Sequence, residues 1–467
     1  MNDNLLYLKR PHTSCPFEPD PHSLNNVYPG DPESKLPESR DTLFKNFLES
    51  VQRYPNREAF GRRVENDGNV SFDYLSYTQA LKQVESISGG FASLNVIPGE
   101  RVAILGPSRV EWMLTDLAIQ RSGLITVGIY ADIREADQLH ILRDSGSSIL
   151  LFSLCCQSSA EYLLKHASSQ LKAVVCMDDC EPLPTQLPFF TFSKFCSLNN
   201  SPPAPCNCSS NDVATLVYSS GTSGPSKGAM LTHRNVLSGA LSYNEVMPPS
   251  PDPNHQEVIL SYLPLSHIFE RTFSTAALIH ACKIGYFSGK TSTLVGDIQA
   301  VKPTVFIAVP RVLSKIYNGV ITKVNNSFFL KRFLFNKFYE CKRTSDLRGR
   351  NSRFLTKFFK NSVAQKFGGR LRVIYFGSAK CDPEIVEFLQ TVLSIPVNQG
   401  WGMSETSAAG TVVDLNDKDY YTAGTIKGRD TQIRLRSIPE LGYSVTDDPP
   451  RGEIEIRGSV VCKGYWG

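Results

Sequence analysis

Short apolar runs alternating with amphipathic stretches predict an α/β protein, built as two stacked α/β subdomains followed by a small β-rich element. The runs Arg101–Leu105, Leu124–Ile129 and Ser148–Phe152 are interleaved with helical patterns, as in a parallel sheet. The same texture resumes in Ala214–Tyr218, Val258–Leu263, Thr304–Val309 and Leu371–Phe376. Beyond Tyr420 it changes to short strands punctuated by glycine, Gly452–Gly458 among them, which suits a small antiparallel element.

In chain order, residues 1–40 are rich in Pro, Asn and Asp and read as an extended arm. Thr42–Tyr54 has the pattern of an amphipathic helix, with Asp41 or Thr42 as its cap. Phe72–Leu94 reads as a strand entering a helix. Arg101–Leu105 ends at Gly106-Pro107 before a helical stretch through Ile119, and Asp137–Ser145 is helical. The α/β region is taken as 41–415. Within it, the Ser, Asn, Pro and Cys stretch Ser197–Ser210 places a subdomain boundary near 197–212, and a basic, aromatic helical insert occupies 320–370. The small β element covers 416–467.

The 467 residues exceed one ordinary domain, and 41% apolar with 20% charged residues is typical of soluble globular chains. No apolar run reaches the ~18–20 residues of a spanning helix, and Met1–Pro11 lacks the apolar stretch of a secretory signal. The expectation is a soluble, cytoplasmic protein. Twelve cysteines are irregularly spaced; Cys155–Cys156 and Cys206/Cys208 fit no zinc pattern, so reduced, mostly buried thiols are expected. The net charge of +4 is uneven: Lys331–Arg372 carries 13 Lys or Arg against Glu340 and Asp346, a balance of +11 that leaves −7 elsewhere. One basic patch on an otherwise acidic chain argues against a nucleic-acid binder.

The most informative stretch is Tyr218–Met230, YSSGTSGPSKGAM, which follows an apolar strand and precedes a helix expected to begin near Thr232. Ser219, Ser220, Thr222 and Ser223 are interleaved with Gly221, Gly224 and Gly228. Glycines let backbone approach an anion closely, amides and hydroxyls donate to phosphate oxygens, and Lys227 adds a mobile positive charge. Lys227 is followed by Gly228, not by the Ser or Thr of a Walker A loop. Taken for its glycines alone, the stretch would read equally well as a flexible loop.

The whole string resembles the phosphate loop of the acyl-adenylate-forming (AMP-binding) superfamily, which includes acyl-CoA synthetases, luciferases and peptide-synthetase adenylation domains. Leu263–Glu270 (LPLSHIFE), Gly400–Thr406 (GWGMSET) and Arg451–Trp466 (RGEIEIRGSVVCKGYW) resemble further motifs of that family, in its order. LPLSHIFER, Pro303–Tyr317 and the insert between Pro310 and Leu371 read most like the long-chain branch, the fatty acid–CoA ligases.

The resemblance implies a fatty acid carboxylate attacking the α-phosphate of ATP with magnesium present, then CoA thiolate displacing AMP. It assigns Ser219, Ser220, Gly221, Thr222, Ser223, Gly224 and Lys227 to the phosphates. Glu405, with Thr222, falls to the metal, and His267 to orienting the carboxylate and α-phosphate. Gly377 and Ser378 form the adenine-side loop, with Gln399, Gly400, Trp401, Gly402 and Ser404 as the opposite wall. Alone, His267 would read as a structural histidine and Glu405 as a solvated one. Trp401 and Ser404 stand where the motif usually has Tyr and Thr, and Lys380 departs from the usual apolar residue or Pro.

The resemblance also implies a small mobile C-terminal domain after Gly467, absent from this sequence, carrying a catalytic Lys and part of the CoA tunnel. Weak nucleotide binding and little acyl-CoA formation are therefore expected of these 467 residues. An adenylating ligase for another carboxylate, or a nucleotide- or acyl-binding pseudoenzyme, are the alternatives. The insert's basic residues alternate with Phe328, Phe329, Phe333, Phe335, Phe338, Phe354, Phe358 and Phe359. They read either as a peripheral surface for an anionic membrane, the endoplasmic reticulum or another, or as a helical pair packing its Phe face on the core. Peroxisomal placement stays open.

Overall fold

The computed structural model describes residues 7–8, 23–24, 40–199, 201–219, 224–244, 247, 254–350, 352–415, 417–428 and 430–467. Most of the arm and four residues of the glycine-rich loop, Ser220, Gly221, Thr222 and Ser223, lie outside the described residues.

Arg101–Leu105 alternates faces as a half-period of two requires: Val102 and Ile104 enter one apolar cluster, Ala103 and Leu105 another. Both faces are buried because helices cover each side of its seven-stranded sheet, with Trp112 and Leu117 on one face and Leu142 and Leu163 on the other. Its order is Lys227–Thr232, Val213–Ser219, Ile125–Ile129, Arg101–Leu105, Ile149–Phe152, Ala173–Cys176, Phe189–Thr191. All neighbours are parallel except the first pair.

A ten-stranded sheet has a parallel centre running Val397–Trp401, Val373–Phe376, Val305–Ala308, Val258–Ser261, Lys283–Tyr286, Glu58–Asn66. Asn69–Ser76 closes one edge as a hairpin partner, while Thr411–Val412 and Thr422–Ile426 extend the other antiparallel. Gln432–Arg436 and Glu453–Arg457 form the small antiparallel element.

Helices fill the space between the large sheets. Leu43–Arg53 starts at Thr42, whose Oγ1 accepts from Lys45 N at 3.3 Å, so Thr42 is the cap. Tyr77–Ser93 opens with a capping box in which Ser76 and Gln79 serve each other's amides. Every residue of Val110–Arg121 is buried. One apolar cluster joins Phe47, Trp112 and Leu117 to Val102 and Ile104 of one sheet and to Ile284, Val305 and Tyr375 of the other.

One expectation shifts. The stretch 197–212 joins Phe189–Thr191 to Val213–Ser219, both in the seven-stranded sheet, so the boundary placed there falls inside one unit; the chain changes sheet between Thr232 and Val258. Proline and serine there mark a crossover loop that traverses the sheet, not a linker. The helix expected near Thr232 is His233–Asn244, and Lys227–Thr232 before it is a strand paired with Val213–Ser219, Ser219 opposite Lys227.

The helix Ile268–Ile279 is the crossover between two strands of the ten-stranded sheet, yet it is pinned to the other sheet. Arg271 Nη2 donates to Asp116 Oδ1 at 2.5 Å and Nη1 to Thr215 Oγ1 at 2.8 Å, and Thr126 Oγ1 donates to the same Asp116 oxygen at 2.6 Å. The two charged side chains are 3% and 8% exposed. Removing one partner strands a buried charge, whereas removing both does not. Asp116→Ala is expected to cost about 3–5 kcal/mol in urea unfolding, and the double replacement Asp116→Leu/Arg271→Met much less.

Candidate active site

The carboxyl ends of the parallel strands of the ten-stranded sheet face the seven-stranded sheet's hairpin, the position where open α/β sheets take ligands. A cavity of about 190 Å³ opens there. His267, Gly377, Ser378, Gly400, Gly402 and Ser404 line it, with Tyr243, Ile268, Phe269, Tyr375, Phe376, Met403, Ala408, Thr411 and Val412.

His267 is the N-cap of Ile268–Ile279, its Nδ1 accepting from Phe269 N at 3.1 Å. In the neutral ring an accepting Nδ1 puts the proton on Nε2. Burial pushes the imidazole pKa down, so neutral is the favoured form. The ring therefore presents a donor, held by a backbone amide, at the mouth of a helix that Arg271 fixes one turn later.

Gly377 and Ser378 follow Val373–Phe376. Ser378 takes φ +70°, and a Cβ on Gly377 would stand 3.0 Å from Gly400 O, so the two loops approach more closely than a side chain allows comfortably. Gly402 is stricter: a Cβ there would fall 2.5 Å from the backbone carbon of Ala408. Gln399 and Trp401 belong to the same wall but do not line the cavity; Trp401 packs instead over Gly410, where a Cβ would meet its ring at 3.0 Å.

Ser404–Thr406 forms a short turn packed against the hairpin of Val213–Ser219 and Lys227–Thr232. Glu405 lies on this turn outside the cavity, its Oε1 accepting from Tyr465 Oη at 2.7 Å. Lys227, exposed at the start of its strand, has Nζ 5.6 Å from the Tyr465 ring centroid. Ser219 pairs with Lys227 across the hairpin, and Gly224 takes φ +97°. The structure thus gathers His267, the Gly377–Ser378 loop and the Gly400–Ser404 wall in one cavity, with Ser219, Lys227 and Glu405 on the adjoining hairpin and turn. A hard cation bridging phosphates needs as little as one carboxylate, so Glu405 suits magnesium arriving with a nucleotide. Among the described residues no group of three or more His, Cys, Asp or Glu could hold a metal ion by itself.

Sequence reasoning missed the aromatic lining. Tyr243 and Tyr375 meet edge to face with centroids 6.2 Å apart, and Tyr243 Oη donates to Ala408 O at 3.4 Å. Tyr375 stands in a predicted strand, so its direction depended on register alone. Glu270 was read only as the end of a motif; it is fully buried beside Ser261, Ser274 and the Leu263 backbone.

The fold and this site define an α/β protein with a glycine-lined cavity at the carboxyl ends of its strands. A family model for AMP-binding enzymes matches residues 47–466, and the chain belongs to that family. Its curated relatives include acyl-CoA synthetases. It is 28% identical over 466 residues to "Long chain acyl-CoA synthetase 7, peroxisomal" of Arabidopsis thaliana, covering 96% of this chain and 63% of the relative. With "Fatty acyl-CoA synthetase A" of Dictyostelium discoideum the figures are 32% over 407 residues, 85% and 60%. The chain thus spans about three-fifths of the length of these relatives. Among solved structures, a long-chain-fatty-acid–CoA ligase of Archaeoglobus fulgidus aligns over 94% of this chain and 78% of its own, with TM-score 0.70 and 19% identity. The adenylation domain of a carboxylic acid reductase of Segniliparus rugosus, solved with AMP and a carboxylic acid, gives 0.70 and 19% over 91% of this chain and 68% of its own. At these identities the two structures establish the fold.

Burial raises the Glu270 pKa to about 8. The folded state thus favours the protonated carboxyl, a contribution complete below the ordinary range near ~4.3 and lost as pH rises through about 8. Glu270→Gln, which cannot ionise, is expected to flatten the fall in melting temperature between roughly pH 5 and 9.

Proposed function

We propose that this chain carries the adenylating centre of a long-chain fatty acid–CoA ligase. The fatty acid carboxylate attacks the α-phosphate of ATP, pyrophosphate leaves, and CoA thiolate then displaces AMP from the acyl-adenylate. The observation that carries the reading is the convergence of His267, Gly377–Ser378 and Gly400–Ser404 on one aromatic-lined cavity. The neutral His267 Nε2–H donates to the carboxylate or to an α-phosphate oxygen, where charge builds in the transition state. The glycines of the Gly377–Ser378 and Gly400–Gly402 segments leave backbone exposed for a flat purine. Tyr243, Phe269 and Tyr375 offer an apolar start to the acyl chain. Ser219, Gly224 and Lys227, with Ser220, Gly221, Thr222 and Ser223 of the same loop, hold the outer phosphates. Glu405, with Thr222, would hold the magnesium, which supplies charge neutralisation to the triphosphate. Trp401 and Gln399 support the adenine wall from behind.

ATP–pyrophosphate exchange on the purified chain with magnesium and acids of graded length tests this. Exchange with long acids alone is expected, and His267→Ala is expected to lower it about 10²–10³-fold with ATP still bound. Exchange with short or aryl acids instead points to another carboxylate, and ATP binding without exchange points to a binding scaffold.

The insert supports a peripheral membrane partner. It forms the helices Pro310–Asn325, Phe329–Leu347 and Arg353–Ser362. Phe335 and Phe359 are buried and Phe338 and Phe358 partly so, the packing the second reading expects. Phe328, Phe329, Phe333 and Phe354 are 78%, 66%, 56% and 67% exposed, among Lys331, Arg332, Lys337, Arg353 and Lys357. Aromatics at the interface with cations around them suit an anionic lipid surface. Cosedimentation with phosphatidylserine-containing vesicles, weaker with neutral ones, is expected, and Phe329→Ser/Phe333→Ser should abolish it. Among the described residues no helix is long and apolar enough to cross a membrane. The relative named peroxisomal makes an intracellular membrane of that kind the first place to look, beside the endoplasmic reticulum.

A further inference from the structure

The segment Val460–Trp466 lies along the open side of the hairpin. Lys463 N donates to Met230 O, Met230 N to Gly464 O and Trp466 N to Gly228 O, and Ala229 bridges Tyr465 antiparallel. Cys462 N donates to Glu405 O at 2.7 Å, tying the same segment to the Ser404–Thr406 turn. Trp466 anchors its end, Nε1 donating to Asp144 O at 3.1 Å with the Arg101 guanidinium 5.2 Å from its ring. The backbone therefore delivers the Tyr465 side chain to one place, between the carboxylate of Glu405 and the ammonium of Lys227.

We propose that Tyr465 is a positioning residue for the metal–phosphate side of the site: its hydroxyl fixes one oxygen of Glu405 and leaves Oε2 as the ligand oxygen, while its ring steadies Lys227. The inference rests on the adenylation reading and gives a role to a residue quoted above only as part of the Arg451–Trp466 stretch. A phenol hydroxyl donating to a carboxylate at 2.7 Å is a charge-assisted bond, and the roles cannot reverse because the ionised carboxylate only accepts. Outer partners that orient a ligating carboxylate change metal affinity by about 10–100-fold when removed. Tyr465→Phe keeps the ring, the backbone bonds and the Trp466 anchor, and removes only the donor.

The test is calorimetric ATP binding by the full 467-residue chain at increasing magnesium, with wild type, Tyr465→Phe, Tyr465→His and Glu405→Gln, melting temperatures serving as the fold control. Tyr465→Phe is expected to keep the wild-type melting temperature and to raise the half-saturating magnesium concentration about tenfold. Tyr465→His, which retains a ring donor, should fall between it and wild type; it carries the comparison if the Phe variant does not fold. Glu405→Gln should raise the requirement at least as much as Tyr465→Phe. An unchanged requirement in both Tyr465 variants with Glu405→Gln shifted overturns the positioning role and leaves the adenylation reading standing. No shift in Glu405→Gln, or no ATP binding by wild type, overturns the role of Glu405 itself and the proposal with it.

Discussion

The buried pair of Arg271 and Asp116 is the constraint on which the site's geometry depends. Two large sheets stacked on a layer of helices could slide past one another if only apolar surface joined them, because hydrophobic contact has no direction. Arg271 belongs to a crossover of the ten-stranded sheet, and its guanidinium is fixed at Asp116 and Thr215, which belong to the other sheet's helix and strand. Burying this pair is expensive, and a well-packed apolar replacement would be as stable or more so. What the charges add is register. The helix they pin begins at His267, and the imidazole's position relative to the hairpin is tied to these two hydrogen bonds of Arg271.

On this frame the site is made mainly of backbone. A Cβ on Gly402 would stand 2.5 Å from the Ala408 backbone and one on Gly377 3.0 Å from Gly400 O, so the sheet ends close tightly, at Gly402 to a separation only glycine permits. Ser378, Ser407 and Ala408 take φ of +70°, +54° and +57° around the same cavity, and such strain persists only where surrounding structure holds it. Side chains then enter sparingly: a neutral imidazole, aromatic walls and, on the adjoining turn, one carboxylate held by a tyrosine. Under the adenylation we propose, such a site would stabilise charge by preorganisation.

Much of this was legible in the sequence because it is local. Arg101–Leu105 shows its strand in five residues, and Thr42 caps its helix within one turn. GWGMSET and YSSGTSG point to a ligand through the family they resemble, since glycine content alone reads equally well as a flexible loop. What stayed hidden is what distant residues decide. Lys227–Thr232 opens with Lys and Gly and earns its strand only by lying between Val213–Ser219 and the bridge to Tyr465. Glu58–Asn66 and Asn69–Ser76 form a hairpin that the sequence reading did not identify, and nothing in it tells that it joins a sheet whose parallel centre resumes at Val258. The insert's phenylalanines look alike along the chain, and only packing against Pro383–Leu393 and its neighbours divides Phe335 and Phe359 from Phe328 and Phe329. Tyr465 meets Glu405 across sixty residues, a pairing no spacing rule contains.

The central claim is that one acyl-adenylate fits the junction these elements make, and a crystal structure with a long-chain acyl-sulfamoyl adenosine, a hydrolysis-resistant mimic, tests it most directly. The account predicts the base between Gly377–Ser378 and Gly400–Met403, the sulfamoyl group facing His267, and the acyl chain leaving past Tyr243 and Tyr375. A mimic bound elsewhere, such as the open basic cavity lined by Lys342, Arg350 and Lys418, or bound with its sulfamoyl group turned away from His267, would contradict it.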